Sequence, residues 1–308
     1  MITSYWAVCS IVSGDLSEFL RNPGPKIRGA LGYCLRRESE ERKIDLIRLM
    51  FKPDRRFLGR GFMLRRLKHP PPPFIIPPPR IISSNLIEVG LKFYGRIGLD
   101  SRLIVSLMKK FEERVFPGNV KLSIEEVYSI DDLRNISVKH FSNQEFIDAR
   151  PPIITLEDVD SWVRENSNRN LKEFKICFLT PFKLLRDGKP ITIEEFKLSD
   201  LVRFILRRIF ILEYLYSGRI LPWMNPTHVS LLKDEADRRT TIEKKLKNSN
   251  IKVEGGAGFL EGNIILTFRE DREKDIFKHE ILRCLKIGEL VGVGKNTSYG
   301  FGQYKLIF

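Results

Sequence analysis

Hydrophobic and polar positions alternate most cleanly over residues 86–94. Ile87, Val89, Leu91 and Phe93 fall on one side, and Glu88, Lys92 and Tyr94 on the other. A period of two predicts a half-buried antiparallel strand. Upstream, Tyr5–Val12 reads as a strand, and Pro23-Gly24-Pro25 places proline where a helix starts. The helix predicted from Lys26 to Arg37 carries Ile27, Leu31, Cys34 and Leu35 on its apolar side. The run Pro70–Pro73 forces extended backbone, and Phe74–Pro79 continues it as an edge strand or its approach. Asp100-Ser101 can cap a second helix with Leu103, Ile104, Leu107, Met108, Phe111 and Val115 as its core stripe. Val120–Ser129 follows as a strand. The order is strand, helix, strand, strand, helix, strand.

The second half repeats that order. Phe174–Leu179 reads as a strand and Asp200–Tyr216 as an amphipathic helix with Leu201, Ile205, Ile209, Leu212 and Tyr216 on one side. A weak strand is expected near Ile251–Val253, then a strand at Asn263–Phe268 and a helix near Glu273–Gly288. Tyr304–Phe308 closes the chain as its last strand. Two β-α-β-β-α-β units predict an α+β protein of two tandem ferredoxin-like (RRM-like) domains. The expected domains are 1–150 and 151–308, with the boundary in the polar stretch Ile130–Leu171 and a glycine-rich loop at 288–302. No sequence repeat relates the halves.

Between the last helix and last strand lies Gly292-Val-Gly-Lys-Asn-Thr-Ser-Tyr-Gly-Phe-Gly-Gln-Tyr304. Glycine permits positive φ and close backbone approach. Exposed main-chain N–H groups in such a loop suit phosphate, with Lys295 adding a point charge. The phosphate loop of nucleotide hydrolases does not fit, because its lysine follows the glycines and opens a helix. A glycine-rich turn before a terminal strand remains the plain alternative.

Charge sharpens the picture. The 308 residues carry 53 Lys+Arg against 39 Asp+Glu, a net charge of +14. Such a balance favours a polyanionic partner through counterion release, although a merely basic surface would give the same sum. Cys9, Cys34, Cys177 and Cys284 lie far apart in apolar stretches, so buried thiols are expected and neither disulfides nor a metal site. No cofactor is expected. The N-terminus lacks signal-peptide features and no run reaches membrane-span length, so a cytoplasmic protein without a membrane partner is expected.

Four features give the C-terminal half a familiar look. They are Phe178-Leu-Thr-Pro-Phe182, the helix with Arg207-Arg208 before Leu212, the stretch from Arg238-Arg239 to Gly255-Gly-Ala-Gly258 and Gly262, and Leu285–Gln303. Together they resemble the repeat-cleaving endoribonuclease (Cas-six) family within the repeat-associated (RAMP) RNA-binding superfamily of CRISPR systems. In the N-terminal half, Pro25–Leu31 and the proline run before Phe74 are similar to features spread more widely in that superfamily. The resemblance implies a metal-independent enzyme that cuts repeat RNA in precursor transcripts. The ribose 2′-OH would attack the adjacent phosphate, leaving a 2′,3′-cyclic phosphate and a 5′-OH. Implied partners are CRISPR repeat RNA and other CRISPR effector subunits, and the sequence leaves the oligomeric state open.

Family members often use a histidine near the first helix. Here the histidines are His69, His140, His228 and His279, and none precedes residue 69. His69 adjoins Pro70 in a stretch whose fold the pattern does not define. On the first helix, Lys26, Tyr33 and Arg37 fall within roughly 40° of one another at about 100° per residue. Lys26 is the candidate for neutralising phosphate or protonating the leaving oxygen, Tyr33 for orienting the 2′-OH, and Arg28 for a neighbouring phosphate. An ordinary solvated helix face is the alternative. For RNA binding the candidates are Gly292, Gly294, Lys295, Asn296, Thr297, Ser298, Tyr299 and Gly300 in the loop, with Tyr299 placed to stack on a base. Arg203, Arg207 and Arg208 are expected to line a basic groove between the domains, and Arg238 and Arg239 to add charge. A non-catalytic guide-RNA-binding RAMP subunit fits the same features. A general RNA chaperone would need exposed sheet aromatics in an RNP pattern, which is absent.

Overall fold

The computed structural model describes residues 1–42, 45–51, 70–167, 171–217, 225–251, 257–269 and 276–308. They form two compact units. The first comprises Met1–Thr155 with Leu215–Ser217 and Ser298–Gly300; the second comprises the remainder.

In the first unit, strand β1 (Ile2–Ser13) leads to the short helix α1 (Leu16–Leu20) and the long α2 (Pro23–Arg42), then α3 (Leu46–Phe51). Strands β2 (Phe74–Ile75), β3 (Arg80–Ser83) and β4 (Leu86–Tyr94) precede α4 (Ser101–Lys109), β5 (Lys121–Asp131), β6 (Ile136–Ser142) and β7 (Glu145–Phe146). Among the described residues the sheet order is β2-β4-β1-β5-β6-β7, with β3 also on β4. β1 runs antiparallel to both β4 and β5, the ferredoxin-like arrangement with a hairpin added.

The alternation predicted for β4 holds: Ile87, Val89, Leu91 and Phe93 are all buried. They share a core with Tyr5, Ala7 and Cys9 of β1, Ile27, Leu31, Cys34 and Leu35 of α2, and Leu103, Ile104, Leu107 and Met108 of α4. Each such side chain contributes about 1.5–3 kcal/mol on burial. Asp100 caps α4 by accepting the Leu103 N–H at 2.9 Å. Val115 lies outside the expected stripe. α4 ends at Lys109, a tighter turn spans Lys110–Glu113, and Val115 is 52% exposed.

The other face of β1 and β4 is covered as well. Trp6 is buried, and the Arg80 guanidinium lies 3.7 Å above its ring. A Cβ at Gly90 would fall 2.5 Å from the Pro77 ring and 2.9 Å from Trp6. The proline-rich approach therefore packs onto this face and leaves no open aromatic platform at Trp6, as the chaperone reading would require.

The second unit holds α5 (Leu156–Ser167), β8 (Glu173–Phe178), the hairpin β9 (Leu185–Arg186) and β10 (Lys189–Pro190), and α6 (Leu198–Tyr216). It continues with α7 (Pro226–Arg239), β11 (Thr240–Asn248), β12 (Leu260–Phe268), α8 (Ile276–Val291) and β13 (Tyr304–Ile307). Its sheet, ordered β11-β12-β8-β13, is antiparallel throughout. Asp187-Gly188, both at positive φ, make the two-residue turn of the small hairpin.

Two expectations are corrected here. The second strand of this unit is β11 at Thr240–Asn248; Ile251 is outside any strand, and residues 252–253 lie outside the described residues. The stretch Ile130–Leu171 is no bare linker, since β6, β7 and α5 occupy it. Val159 and Val163 are the buried anchors of α5. His69 and Gly255-Gly256 also lie outside the described residues.

His140 of β6 is fully buried, its Nε2 2.6 Å from the Ser129 hydroxyl and its ring 5.4 Å from that of Tyr5. Burial holds its pKa below the ordinary value of 6.5. The unfolded chain binds this proton first, so the associated stability is present above that pH and lost as pH falls below it. Denaturant unfolding at about pH 7.5 and about pH 5 should show a loss at the lower pH. That loss should be smaller in His140→Gln.

Candidate nucleic-acid interface

The glycine loop is a closed structure held by main-chain hydrogen bonds. The Val293 N–H donates to the Gly302 carbonyl at 2.9 Å, joining the two ends. The Lys295 N–H donates to Lys183 O at 2.9 Å, and the Gly302 N–H to Pro181 O at 2.9 Å. The Gln303 N–H donates to the Thr180 hydroxyl at 3.0 Å. The Thr-Pro motif after β8 is thus the ledge on which the loop rests.

These bonds explain the glycines. Gly292, Gly294, Gly300 and Gly302 all have positive φ, between 69° and 86°. A Cβ on Gly302 would sit 1.8 Å from Val293 O, and one on Gly294 2.5 Å from Lys183 O. Asn296, at φ 60°, takes the one left-handed position where a short polar side chain is tolerated.

The bonds also change how the loop can bind. The N–H groups of Gly292, Val293, Lys295, Phe301 and Gly302 are donated to carbonyls within the protein. They are unavailable to phosphate, contrary to the expectation of a fully open N–H cradle. Thr297 and Ser298 are buried, and Gly300 is buried with them. Lys295 is exposed, and Asn296 and Tyr299 are half-buried. The binding surface reduces to the Lys295 ammonium, the Asn296 amide and the Tyr299 ring.

On α2 the candidates have definite surroundings. Lys26 donates to the carbonyls of Phe19 at 3.3 Å, Arg21 at 2.9 Å and Glu18. It caps the C-terminus of α1, where a cation is favoured. Partial burial lowers its pKa, with Glu18 opposing and Arg21 adding to the effect. Tyr33 is half-buried with the Arg114 guanidinium 4.6 Å over its ring. Arg37 is exposed.

Arg28 lies in a ring of aromatics: its guanidinium is 4.2 Å from the Tyr299 centroid, 4.6 Å from Phe51 and 5.5 Å from Phe74. Burial lowers its pKa, and the Tyr299 hydroxyl opposes that shift. Its Nη1 is buried without a hydrogen-bond partner among the described residues. A Cβ at Gly24, one turn earlier, would meet Tyr299 O at 1.9 Å. Arg28 therefore positions Tyr299 on α2, a role that helix periodicity alone did not reveal.

The remaining arginines divide by their partners. Arg203 donates to Leu185 O at 2.9 Å and lies 3.6 Å from Asp200. Arg207 is half-buried, its pKa lowered by burial and by Arg203. Arg208 is buried and donates to Val291 O at 2.6 Å, capping α8, so it does not line a groove as expected. Arg238 and Arg239 both pair with Glu235, the former at 2.7 Å, and this pairing lowers the Glu235 pKa. That pairing at three- and four-residue spacing was visible in the sequence. Among the described residues no group of three or more His, Cys, Asp or Glu is placed to hold a metal ion, and no helix is long and apolar enough to cross a membrane.

Residues 176–304, which run from β8 through the loop to Tyr304, match the family model described as CRISPR-associated endoribonuclease Cas6. Over that span the chain belongs to the Cas6 family. Solved Cas6 structures extend the likeness in fold to the whole chain. A Cas6 (TTHB231) product complex aligns with TM-score 0.59 at 14% identity, covering 100% of both chains. Thermus thermophilus Cas6 (TTHB231) aligns at TM-score 0.54 and 14% identity, covering 100% of this chain and 98% of its own. A Cas6 (TTHA0078) product complex gives TM-score 0.53 at 13% identity, again over 100% of each chain. At such identities the likeness establishes the tandem ferredoxin-like fold. Comparison with curated protein sequences finds no match.

Two substitutions check this geometry. Gly302→Ala should destabilise the protein by at least about 1–2 kcal/mol, the cost of left-handed backbone alone, and thermal unfolding would show it. A double-mutant cycle of Arg28→Ala and Tyr299→Ala should give a coupling of about 0.5–2 kcal/mol.

Proposed function

We propose that the protein is a metal-independent endoribonuclease that cuts CRISPR repeat RNA in precursor transcripts to make guide RNAs. The family match through β8, the Thr-Pro ledge and the glycine loop carries the reading. Cutting is by attack of the ribose 2′-OH on the adjacent phosphate, giving a 2′,3′-cyclic phosphate and a 5′-OH. This requires in-line geometry, acceptance of the 2′-OH proton, protonation of the leaving oxygen and charge stabilisation at phosphorus.

In this reading Lys295 and Asn296 hold a phosphate and ribose at the loop, and Tyr299, oriented by Arg28, stacks a base. Tyr33 orients the 2′-OH. Lys26, its N–H groups already given to α1 carbonyls, acts as a fixed positive charge and not as a proton donor. The loop residues Gly292, Gly294 and Gly300 shape this surface, and Arg203 and Arg207 add charge along α6. Domains of 1–150 and 151–308 form the two ferredoxin-like halves, and the protein works in the cytoplasm. Structural neighbours include Cas6 as a substrate mimic complex and within a Cas6-RT-Cas1–Cas2 complex. Repeat RNA and other CRISPR proteins are accordingly the proposed partners.

One observation favours a second reading. α2 has no histidine, and the donors of Lys26 are spent on α1. A non-catalytic guide-RNA-binding RAMP subunit would need neither.

The test is cleavage of the host's repeat RNA in EDTA, beside a matched RNA with one 2′-deoxy residue before the scissile phosphate. Cutting of the ribose substrate alone supports the enzyme; tight binding without cutting overturns it in favour of the subunit. If the enzyme is active, Tyr33→Phe should lower kcat, by up to about 100-fold if it serves the proton step. Lys295→Ala should weaken binding and reduce the salt slope of log K by about 0.7.

A further inference from the structure

The second unit contains a small polar cleft where α6 begins beside α7. It measures about 270 Å³ and is lined by Arg186, Lys197, Ser199, Asp200, Arg203, Lys233 and Asp237. No apolar side chain lines it, which argues against an apolar ligand. At about 30 Å³ per water its volume equals roughly nine waters, enough for one hydrated phosphate group.

Both carboxylates are already committed. Asp200 is buried and accepts from the Arg186 guanidinium at 2.5 Å, with the Lys197 main-chain N–H at 3.3 Å. Asp237 accepts the Ser199 N–H at 2.9 Å and its hydroxyl at 2.7 Å. The two arginines are held by further acceptors: Arg186 donates to Glu195 O at 3.1 Å and Arg203 to Leu185 O at 2.9 Å. Lys197 and Lys233 differ. Neither ammonium has a hydrogen-bond or ion-pair partner among the described residues. The cleft thus combines a frame of ordered arginines with two uncommitted lysines, leaving it net positive.

We propose that this cleft is a second phosphate subsite, in which Lys197 and Lys233 hold a backbone phosphate of the bound RNA. The proposal rests on the RNA-cleaving reading for its ligand, and its role is in binding and not in the chemical step. Arg186 and Arg203 fix the wall, while the lysine stems close on the phosphate when it arrives. Such a contact carries no base information.

The test compares Lys197→Ala/Lys233→Ala with a control, Lys245→Ala/Lys247→Ala on β11, which removes equal charge from the sheet edge. Affinity for repeat RNA is measured across a salt series. The cleft variant should bind about tenfold more weakly, with a salt slope reduced by about 1.4 for two lost contacts. The control should lose clearly less. If cleavage occurs, KM should rise while kcat at saturating RNA is unchanged. Equal losses in both variants, or none in the first, would overturn the subsite. If the wild-type protein binds no RNA, the functional reading fails separately. The cleft is then probed with inorganic phosphate: binding lost in the cleft variant keeps an anion site, and no binding overturns it.

Discussion

Closure of the glycine loop onto the chain after β8 is the constraint from which the rest of the second unit follows. Hydrogen bonds from Val293 to Gly302, from Lys295 to Lys183 and from Gly302 to Pro181 fix both ends of the loop. Each needs backbone that only glycine or asparagine adopts without strain, or an approach too close for a Cβ. The loop in turn sets where β13 begins. The Gln303 carbonyl accepts from Leu179 and Thr180, and Tyr304 then pairs with Phe178. Sheet register, loop shape and the outward position of Lys295 are one structural decision.

This closure alters the chemistry available for recognition. A glycine-rich loop invites the idea of a cradle of main-chain N–H groups. Here most of those groups are spent internally. What remains is one ammonium, one amide and one aromatic ring. That set suits a phosphate, a ribose and a base on a single strand better than a pyrophosphate. Rigidity is the gain: a site on locked backbone loses little freedom when RNA binds.

Much of the fold was legible because its strands and helices are amphipathic in the simplest way. Ile87, Val89, Leu91 and Phe93 announce a strand that β1 must cover, and Leu201, Ile205, Ile209 and Leu212 announce α6. β11 was hidden because it is an edge strand, and Glu243, Lys244, Lys245 and Lys247 suppress its apolar alternation. α5 was hidden because Val159 and Val163 alone are its buried anchors. The site was less legible than the fold. Periodicity placed Lys26, Tyr33 and Arg37 on one stripe but could not show Lys26 turned onto α1. Nor could it show Arg28 enclosed by Phe51, Phe74 and Tyr299, residues far apart in the chain. Departures of that kind come from tertiary neighbours, which no local pattern encodes.

The most direct test of the account is amide hydrogen exchange over residues 292–303, with and without repeat RNA. In the free protein the amides of Val293, Lys295 and Gly302 should be protected by the closure bonds. RNA should then slow exchange across 296–300 without changing protection at the closed ends. Fast exchange at Val293, Lys295 and Gly302 in the free protein, or no response to bound RNA at 296–300, would contradict a pre-built loop that meets the RNA.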